Sequence, residues 1–329
     1  MIETLLLNVK DVEKIIIESD IISTVEEGYI AYNRGKINQP DIVSIDIPEK
    51  NGELDIKSCY NELNNYITVK MASGFYDNGI KFNLPTMLGV ITLIDGDTGA
   101  PLCIMDGSLI TGVRTAAAGA ISAKLLSRKN SKTVAVFGAG TQARLQIYAL
   151  KKIRDIEVVQ VYSEKVEELE KYKIDIEKNT NLKVVLCSTP KEALNKADIV
   201  ITTTPSKNYY IDSSYIEKGM HIIAVGADMA GKNELDPKIF KNAKIINDSI
   251  PQCTSRGETR NAIISGMIKE SDIHAEIGQL LEGQKALRES EEEITIFDTT
   301  GMGVQDNVVA AKIYEVAKLR NIGKEFSFL

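Results

Sequence analysis

From Thr133 to Phe297 the chain alternates short β-rich runs with helical stretches, and this alternation limits its fold more than any other feature. The runs are 133–137, 158–162, 183–187, 199–203, 221–225, 244–247 and 294–297. They are apolar along their length instead of switching between apolar and polar. Strands of that kind are buried on both faces, and a βα order supplies the helices that cover them. The expected fold is α/β, with a doubly wound parallel sheet. A different grammar precedes it. Runs at 42–45, 67–71, 89–94 and 101–105 are separated by turn residues such as Asn51-Gly52 and Asp95–Gly99, which predicts antiparallel strands and hairpins.

Helical periodicity marks 9–34 as one or two helices. Ser23–Glu26 matches a capping box for the second, and Gly35 is its expected stop. An alanine-rich helix is expected over 111–127 and a last helix over 303–320. A chain of 329 residues is too long for one compact core and suits two domains.

The bulk numbers exclude some functions. With 43% apolar and 26% charged residues the chain is ordinary globular protein. A net charge of −7 does not suit a protein that grips nucleic-acid phosphates, so no nucleic-acid partner is expected. Glu3 and Lys10 interrupt the N-terminus, which does not read as a signal peptide, and no apolar run reaches about 18 residues, so no membrane partner is expected either. The 4 cysteines are scattered, without a C-x-x-C pair, and read as reduced thiols of a cytoplasmic protein. With only 2 histidines, a metal site is not expected.

The run 133–137 ends in Gly138-Ala-Gly140-Thr141-Gln142-Ala143 and a helical segment follows. A glycine turn between a buried strand and a helix points backbone N–H groups and the positive helix end at an anion, as in a dinucleotide site. A plain tight turn would show the same residues, but the βα order around it favours the dinucleotide. An acid for the adenosine ribose should close the second strand. There the chain reads Tyr162-Ser163-Glu164-Lys165. Glu164 suits the 2′-hydroxyl of NAD(H); Ser163 and Lys165 would tolerate the 2′-phosphate of NADP(H). NAD(H) is the favoured cofactor.

Beyond that turn, the chain resembles the ornithine cyclodeaminase/µ-crystallin family nearly end to end. The resemblance is carried by Val69-Lys70-Met71, Ile110–Ala117 around Arg114, Phe137–Ala143, Gly219–Asp228 with Gly231-Lys232, and Asp298-Thr299-Thr300-Gly301. Within the family, 52–60, 70–78 and 301–306 are most similar to the branch holding the ectoine-utilisation member and iminosuccinate reductase. The resemblance implies a Rossmann domain, 116–304, and a smaller α+β substrate and dimerisation domain built from both chain ends, 1–115 and 305–329. It also implies a homodimer and NAD(P)(H) chemistry at the α-carbon of a small amino or imino acid.

Site residues follow by resemblance. Lys70 binds the substrate α-carboxylate; from pattern alone it would also suit an exposed strand. Asp228 is the general acid/base at the substrate nitrogen, although an aspartate there could instead cap a helix. Arg114 meets cofactor pyrophosphate and substrate; the alternative is an exposed helix salt bridge. Gly138, Gly140, Thr141, Gln142, Ser163, Glu164, Thr86, Thr204, Val225, Lys232 and Thr299 fall at cofactor positions, and Thr300 at a substrate position. One departure matters: cyclodeaminases carry an arginine where this chain reads Gln39–Pro48 without one. Lys57 stands where cyclodeaminases have methionine. It could replace that cation or grip a second carboxylate, and it would repel the δ-ammonium of ornithine.

These readings together point to an imine reductase or amino-acid dehydrogenase. Iminosuccinate/aspartate is the first substrate expectation and alanine the second. The alternatives are an ornithine cyclodeaminase with catalytic NAD and a µ-crystallin-like, cofactor-gated binding protein.

Overall fold

The computed structural model describes residues 3–328. The chain divides into two compact units, one made of residues up to Arg114 and from Met302 onward, the other Thr115–Gly301.

In the first unit β1 (Glu3–Leu7) leads to α1 (Val9–Glu18). Asn8 caps α1, accepting from the Lys10 and Asp11 amides, and Asp11 accepts from the Asn8 amide in return. α2 (Ile21–Asn33) begins earlier than the Ser23–Glu26 pattern suggests. Asp20 is its cap, taking the Ser23 N–H at 3.2 Å, so Ser23 and Glu26 lie inside the helix. The chain leaves α2 at Gly35, whose N–H bonds to the Tyr32 carbonyl.

Then follow β2 (Ile37–Asn38), β3 (Val43–Ile47), β4 (Gly52–Asn61), β5 (Tyr66–Phe75), the short α3 (Asn78–Lys81), β6 (Met87–Asp95) and β7 (Pro101–Asp106). β4 through β7 pair antiparallel, as the turn signals require. α4 (Ser108–Leu126) is the alanine-rich helix, and the unit boundary falls within it, after Arg114. By length and hydropathy alone α4 could cross a membrane, but 61% of it is buried, as in a core helix of a folded domain.

The second unit runs β8 (Thr133–Phe137), α5 (Thr141–Leu150), β9 (Val158–Tyr162), α6 (Val166–Thr180), β10 (Lys183–Leu186), α7 (Pro190–Leu194), β11 (Ile199–Thr202), β12 (His221–Ala224), β13 (Ala243–Asn247), α8 (Ile250–Arg256), α9 (Glu258–Ile264), β14 (Ala275–Glu276), α10 (Ile277–Leu281) and β15 (Ile294–Asp298). Every pairing is parallel and the strand order is β10-β9-β8-β11-β12-β15-β13-β14. Counted from β8, the order is 3-2-1-4-5-8-6-7, so the first five positions follow the Rossmann order and β15 takes the place of its sixth strand. β10, β11 and β12 end one residue before the predicted runs, which leaves Cys187, Thr203 and Val225 just past the strand ends. His221 is a core residue. Its ring nitrogens face Ser122 Oγ at 3.1 Å and Thr295 Oγ1 at 2.9 Å, and burial drives its pKa down to about 3.

α11 (Gly303–Arg320) and β16 (Lys324–Ser327) return to the first unit. They complete a sheet ordered β16-β1-β7-β6-β5-β4-β2, with β3 on β4. β1 and β16 were not expected from sequence; β16 is the edge strand, antiparallel to β1, and β1 lies between it and β7, parallel to β7. α11 packs against α2, β4, β5 and β6. Its start comes close to β4: a Cβ on Gly303 would stand 2.8 Å from the Ser58 carbonyl, so only glycine fits.

Cross-strand register sorts the two faces of this sheet. Met105, Ile91, Lys70 and Lys57 share one row of the helix-covered face, and Cys103, Leu93, Thr68 and Cys59 the next. The opposite face carries Val43, Ile45, Met71, Leu88 and Val90, all exposed. The 4 cysteines are buried free thiols.

Candidate functional site

In the first unit the site is built around one carboxylate. Lys70 stands mid-strand in β5, in an apolar row beside Ile91, and only 1% of it is exposed. An ammonium there needs a counter-charge, because its transfer from water without one is prohibitive. Asp306, in the first turn of α11, supplies it: Lys70 Nζ lies 2.6 Å from Asp306 Oδ2. Arg114 is also buried and donates from Nε to Asp306 Oδ1 at 3.1 Å. Both exposed-surface alternatives for Lys70 and Arg114 are therefore overturned.

Gln305 completes the support. Its Oε1 accepts from Arg114 Nη1 at 3.3 Å and from the Met302 amide at 2.8 Å, while its Nε2 donates to Tyr29 Oη at 3.0 Å. Lys57 pairs directly across from Lys70. Burial, then the neighbouring Arg114 and Lys57 charges, pull the Lys70 pKa down to about 7 against the pull of Asp306. Burial alone would raise Asp306, but Lys70 and Arg114 outweigh it and hold that carboxyl low. Thr86 lies in the same unit, ahead of β6, where its carbonyl accepts the Phe75 N–H.

In the second unit the β8–α5 turn has the form a pyrophosphate needs. Gly138 sits at φ +101, and a Cβ there would meet Thr203 Oγ1 at 2.7 Å. Gly140 is the N-cap of α5 with no side chain over the helix end, and no atom lies within 4 Å of where its Cβ would stand. Thr141 and Gln142 form the first turn, and Gln142 Nε2 is buried without a hydrogen-bond partner among the described residues. These are the traits of an anion cradle at a helix N-terminus.

The C-terminal ends of β9 and β10 border a cavity of about 510 Å³ lined by Tyr162, Ser163, Glu164, Leu169, Glu170 and Leu186, among others. Its lining combines apolar Val166, Leu169 and Leu186 with the carboxylates of Glu164 and Glu170. Two carboxylates in the lining make it a poor host for a further phosphate.

Asp228 lies past the end of β12, beyond Val225, in a loop that no helix continues, so the helix-cap alternative is overturned. It is half-exposed and pairs with Lys232 Nζ at 2.7 Å, while Lys232 itself is largely buried. The loop is tethered from α8 and α9: Arg256 Nε donates to the Asp228 carbonyl at 3.2 Å and Asn261 Nδ2 to the Lys232 carbonyl at 2.8 Å. Thr204 gives its N–H and hydroxyl to Glu234 Oε1 at 2.7 and 2.6 Å. Thr299 is buried and donates to Asp248 Oδ2 at 2.6 Å, and Thr300 Oγ1 accepts from Gln252 Nε2 at 3.1 Å. The hydroxyl protons of Thr204 and Thr299 are thus both committed to carboxylates.

Sequence reasoning missed Asp306 and Glu234. An acid in the first turn of a helix reads as a solvated, dipole-matched residue. The available signal for Asp306 was the buried lysine, which demanded a carboxylate from somewhere.

An archaeal alanine dehydrogenase dimer with bound NAD shares 38% identity, covers 99% of this chain and 100% of its own, and superposes with a TM-score of 0.93. The Δ1-pyrroline-2-carboxylate reductase of Thermococcus litoralis, solved with NADH and L-proline, shares 32% identity over 98% of this chain and 99% of its own, with a TM-score of 0.94. The iminosuccinate reductase of Paracoccus denitrificans, solved with NAD+, shares 27% identity over 99% of this chain and 100% of its own, with a TM-score of 0.89. The model of the ornithine cyclodeaminase/mu-crystallin family matches residues 2–321, and the chain belongs to that family.

Proposed function

We propose that this chain is an NAD(H)-dependent oxidoreductase acting at the α-carbon of a small amino or imino acid. Iminosuccinate/aspartate is the first substrate pair; pyruvate plus ammonia/alanine is the second. The observation that carries the reading is the charge count at Asp306. Lys70 and Arg114, both buried, share this single carboxylate, so the cluster holds an excess positive charge whenever Lys70 is protonated. A substrate α-carboxylate balances it through charge-assisted hydrogen bonds from donors already held in place. Lys57, across from Lys70, offers a cation to a second carboxylate and repels a second ammonium. This ranks a dicarboxylate first and ornithine last.

When bound, the nicotinamide supplies or accepts the hydride at the α-carbon. Lys70 and Arg114 fix the carboxylate end of the substrate. Asp228 works on the nitrogen: it protonates the imine in reduction and takes the proton from the ammonium in oxidation. Lys232 orients that carboxylate. Gly138, Gly140, Thr141 and Gln142 hold the pyrophosphate, and Ser163 and Glu164 the adenosine ribose. Glu164 favours NAD(H) over NADP(H), because its charge opposes a 2′-phosphate. The dinucleotides bound to the three relatives support this choice. The protein works as a homodimer, joined through the exposed apolar face of the first unit's sheet; a contiguous face of that kind is a common mark of an interface.

The test is a panel of imines read by loss of reduced-nicotinamide absorbance: iminosuccinate, pyruvate with ammonia, and cyclic imines, each with NADH and NADPH. The expected result is turnover with NADH, fastest on iminosuccinate. Release of proline and ammonia from ornithine at constant NADH would overturn the proposal in favour of a cyclodeaminase. Binding of NADH without turnover of any member would overturn it in favour of a binding protein.

A further inference from the structure

Arg144 stands in the first turns of α5, just beyond the glycine turn. Its Nη1 donates to two carbonyls of that turn, Ala139 O and, at 3.0 Å, Gly140 O. The guanidinium is held from behind. Its Nε lies 3.2 Å from Asp175 Oδ2 on α6, and its centre sits 5.2 Å from the ring centroid of Tyr172, one helical turn earlier on the same helix. Asp175 is fixed in turn, taking the Tyr148 hydroxyl at 2.7 Å and the Asn179 amide at 2.8 Å.

Peptide geometry gives these contacts their meaning. In a trans peptide the C=O and N–H point in opposite directions. The carbonyl of Ala139 shares its peptide plane with the N–H of Gly140, and the carbonyl of Gly140 shares its plane with the N–H of Thr141. A cation that draws both carbonyls toward α5 therefore aims both N–H groups the other way, out of the turn, on the side an anion would approach. The Gly140 carbonyl also accepts the Arg144 backbone N–H at 3.4 Å, a long first helical bond, so the guanidinium reinforces that plane and holds the Ala139–Gly140 plane, where Gly140 has no side chain to restrict rotation.

We propose that Arg144 is a positioning residue for the cofactor: it staples the turn carbonyls so that the Gly140 and Thr141 amides are preset for the pyrophosphate, with Asp175 and Tyr172 fixing the staple. The inference rests on the reading of this turn as the dinucleotide site. It adds a residue that touches neither substrate nor cofactor and works by cutting the ordering that binding would otherwise require.

Titration of NADH by its own fluorescence, with the full-length protein, tests it. Arg144→Met should weaken NADH binding about tenfold and raise the KM for NADH alike, since a charge-assisted bond to the turn is lost. The kcat and the substrate KM should stay within about twofold, because no group at the reacting atoms is touched. Asp175→Asn should weaken NADH binding in the same direction but less, and the double variant should bind no worse than Arg144→Met, because the two act as one device. Equal NADH affinity in wild type and Arg144→Met, or a fall in kcat at unchanged affinity, would overturn the inference alone. If Arg144→Met fails to fold, Arg144→Lys and Asp175→Asn decide: wild-type affinity in both overturns it, and weakened affinity in both supports it. No NADH binding by the wild type would overturn the dinucleotide reading and this inference with it.

Discussion

Lys70 and Asp306 come from opposite ends of the chain and meet 2.6 Å apart with each side chain 1% exposed. A buried pair of this kind adds little net stability over apolar packing, because both ions lose their water. Removing one partner is different, since it strands the other. Asp306→Asn strands two cations at once, Lys70 and Arg114. The expected loss is about 3–5 kcal/mol, measured by urea unfolding. Adding Lys70→Met to that variant should recover part of the loss, since one stranded charge is removed. A single variant as stable as wild type would show that Asp306 does not neutralise the pair.

Lys57→Met separates the two substrate candidates. Lys57 pairs across from Lys70 in the β4–β5 register, on the same sheet face. The variant should lose at least about tenfold in kcat/KM for a dicarboxylate imine and change little for pyruvate with ammonia, as expected when one charged contact to one substrate is lost. The ratio of the two kcat/KM values is the readout. An unchanged ratio would remove Lys57 from substrate recognition.

Glu164 borders the cavity at the ends of β9 and β10. Glu164→Arg replaces a charge that opposes a 2′-phosphate with one that attracts it. The ratio of kcat/KM with NADPH to that with NADH should rise by about tenfold or more, the equivalent of one charge-assisted contact. No shift would place the discriminating contact elsewhere.

Asp298 closes β15, and burial raises its pKa to about 7 although the Thr259 amide opposes the rise. In the unfolded chain the same group ionises near about 3.9. Between those values the folded state holds a proton that the unfolded state has lost. Stability therefore falls as pH rises from about 4 to about 7 and levels off above. Asp298→Asn, which mimics the protonated form, should flatten that slope in urea unfolding across the range. Burial also raises Glu234 and Glu258, so some of the slope will remain. A slope as steep in the variant as in wild type would show that Asp298 ionises normally.

The Rossmann sheet was the most legible part of the sequence. Thr133–Phe137 and Val158–Tyr162 are buried strands between turn residues, and local composition is enough to place them. The sheet of the first unit was only half legible. β16 is short and falls on the exposed side along its length, and β1 lacks an alternating pattern, so neither announces itself. Among site residues, Lys70 was recognisable because a lysine in an apolar run demands an explanation. Asp306 was not, because its burial depends on a strand more than two hundred residues away in sequence, and no periodicity encodes such a meeting. Arg144 was hidden for a related reason: a helix arginine reads as solvated until its contacts with a neighbouring helix are known.

The first unit draws on both chain ends, while the second is continuous from Thr115 to Gly301. During synthesis the Rossmann sheet has all its strands once β15 has left the ribosome. The other sheet must wait for α11 to cover the β4–β6 part of its inner face. Throughout that wait Lys70 and Arg114 lack their shared carboxylate and have every reason to stay in water. The closure of that face and the neutralisation of its cations are thus one late event, timed by the arrival of α11.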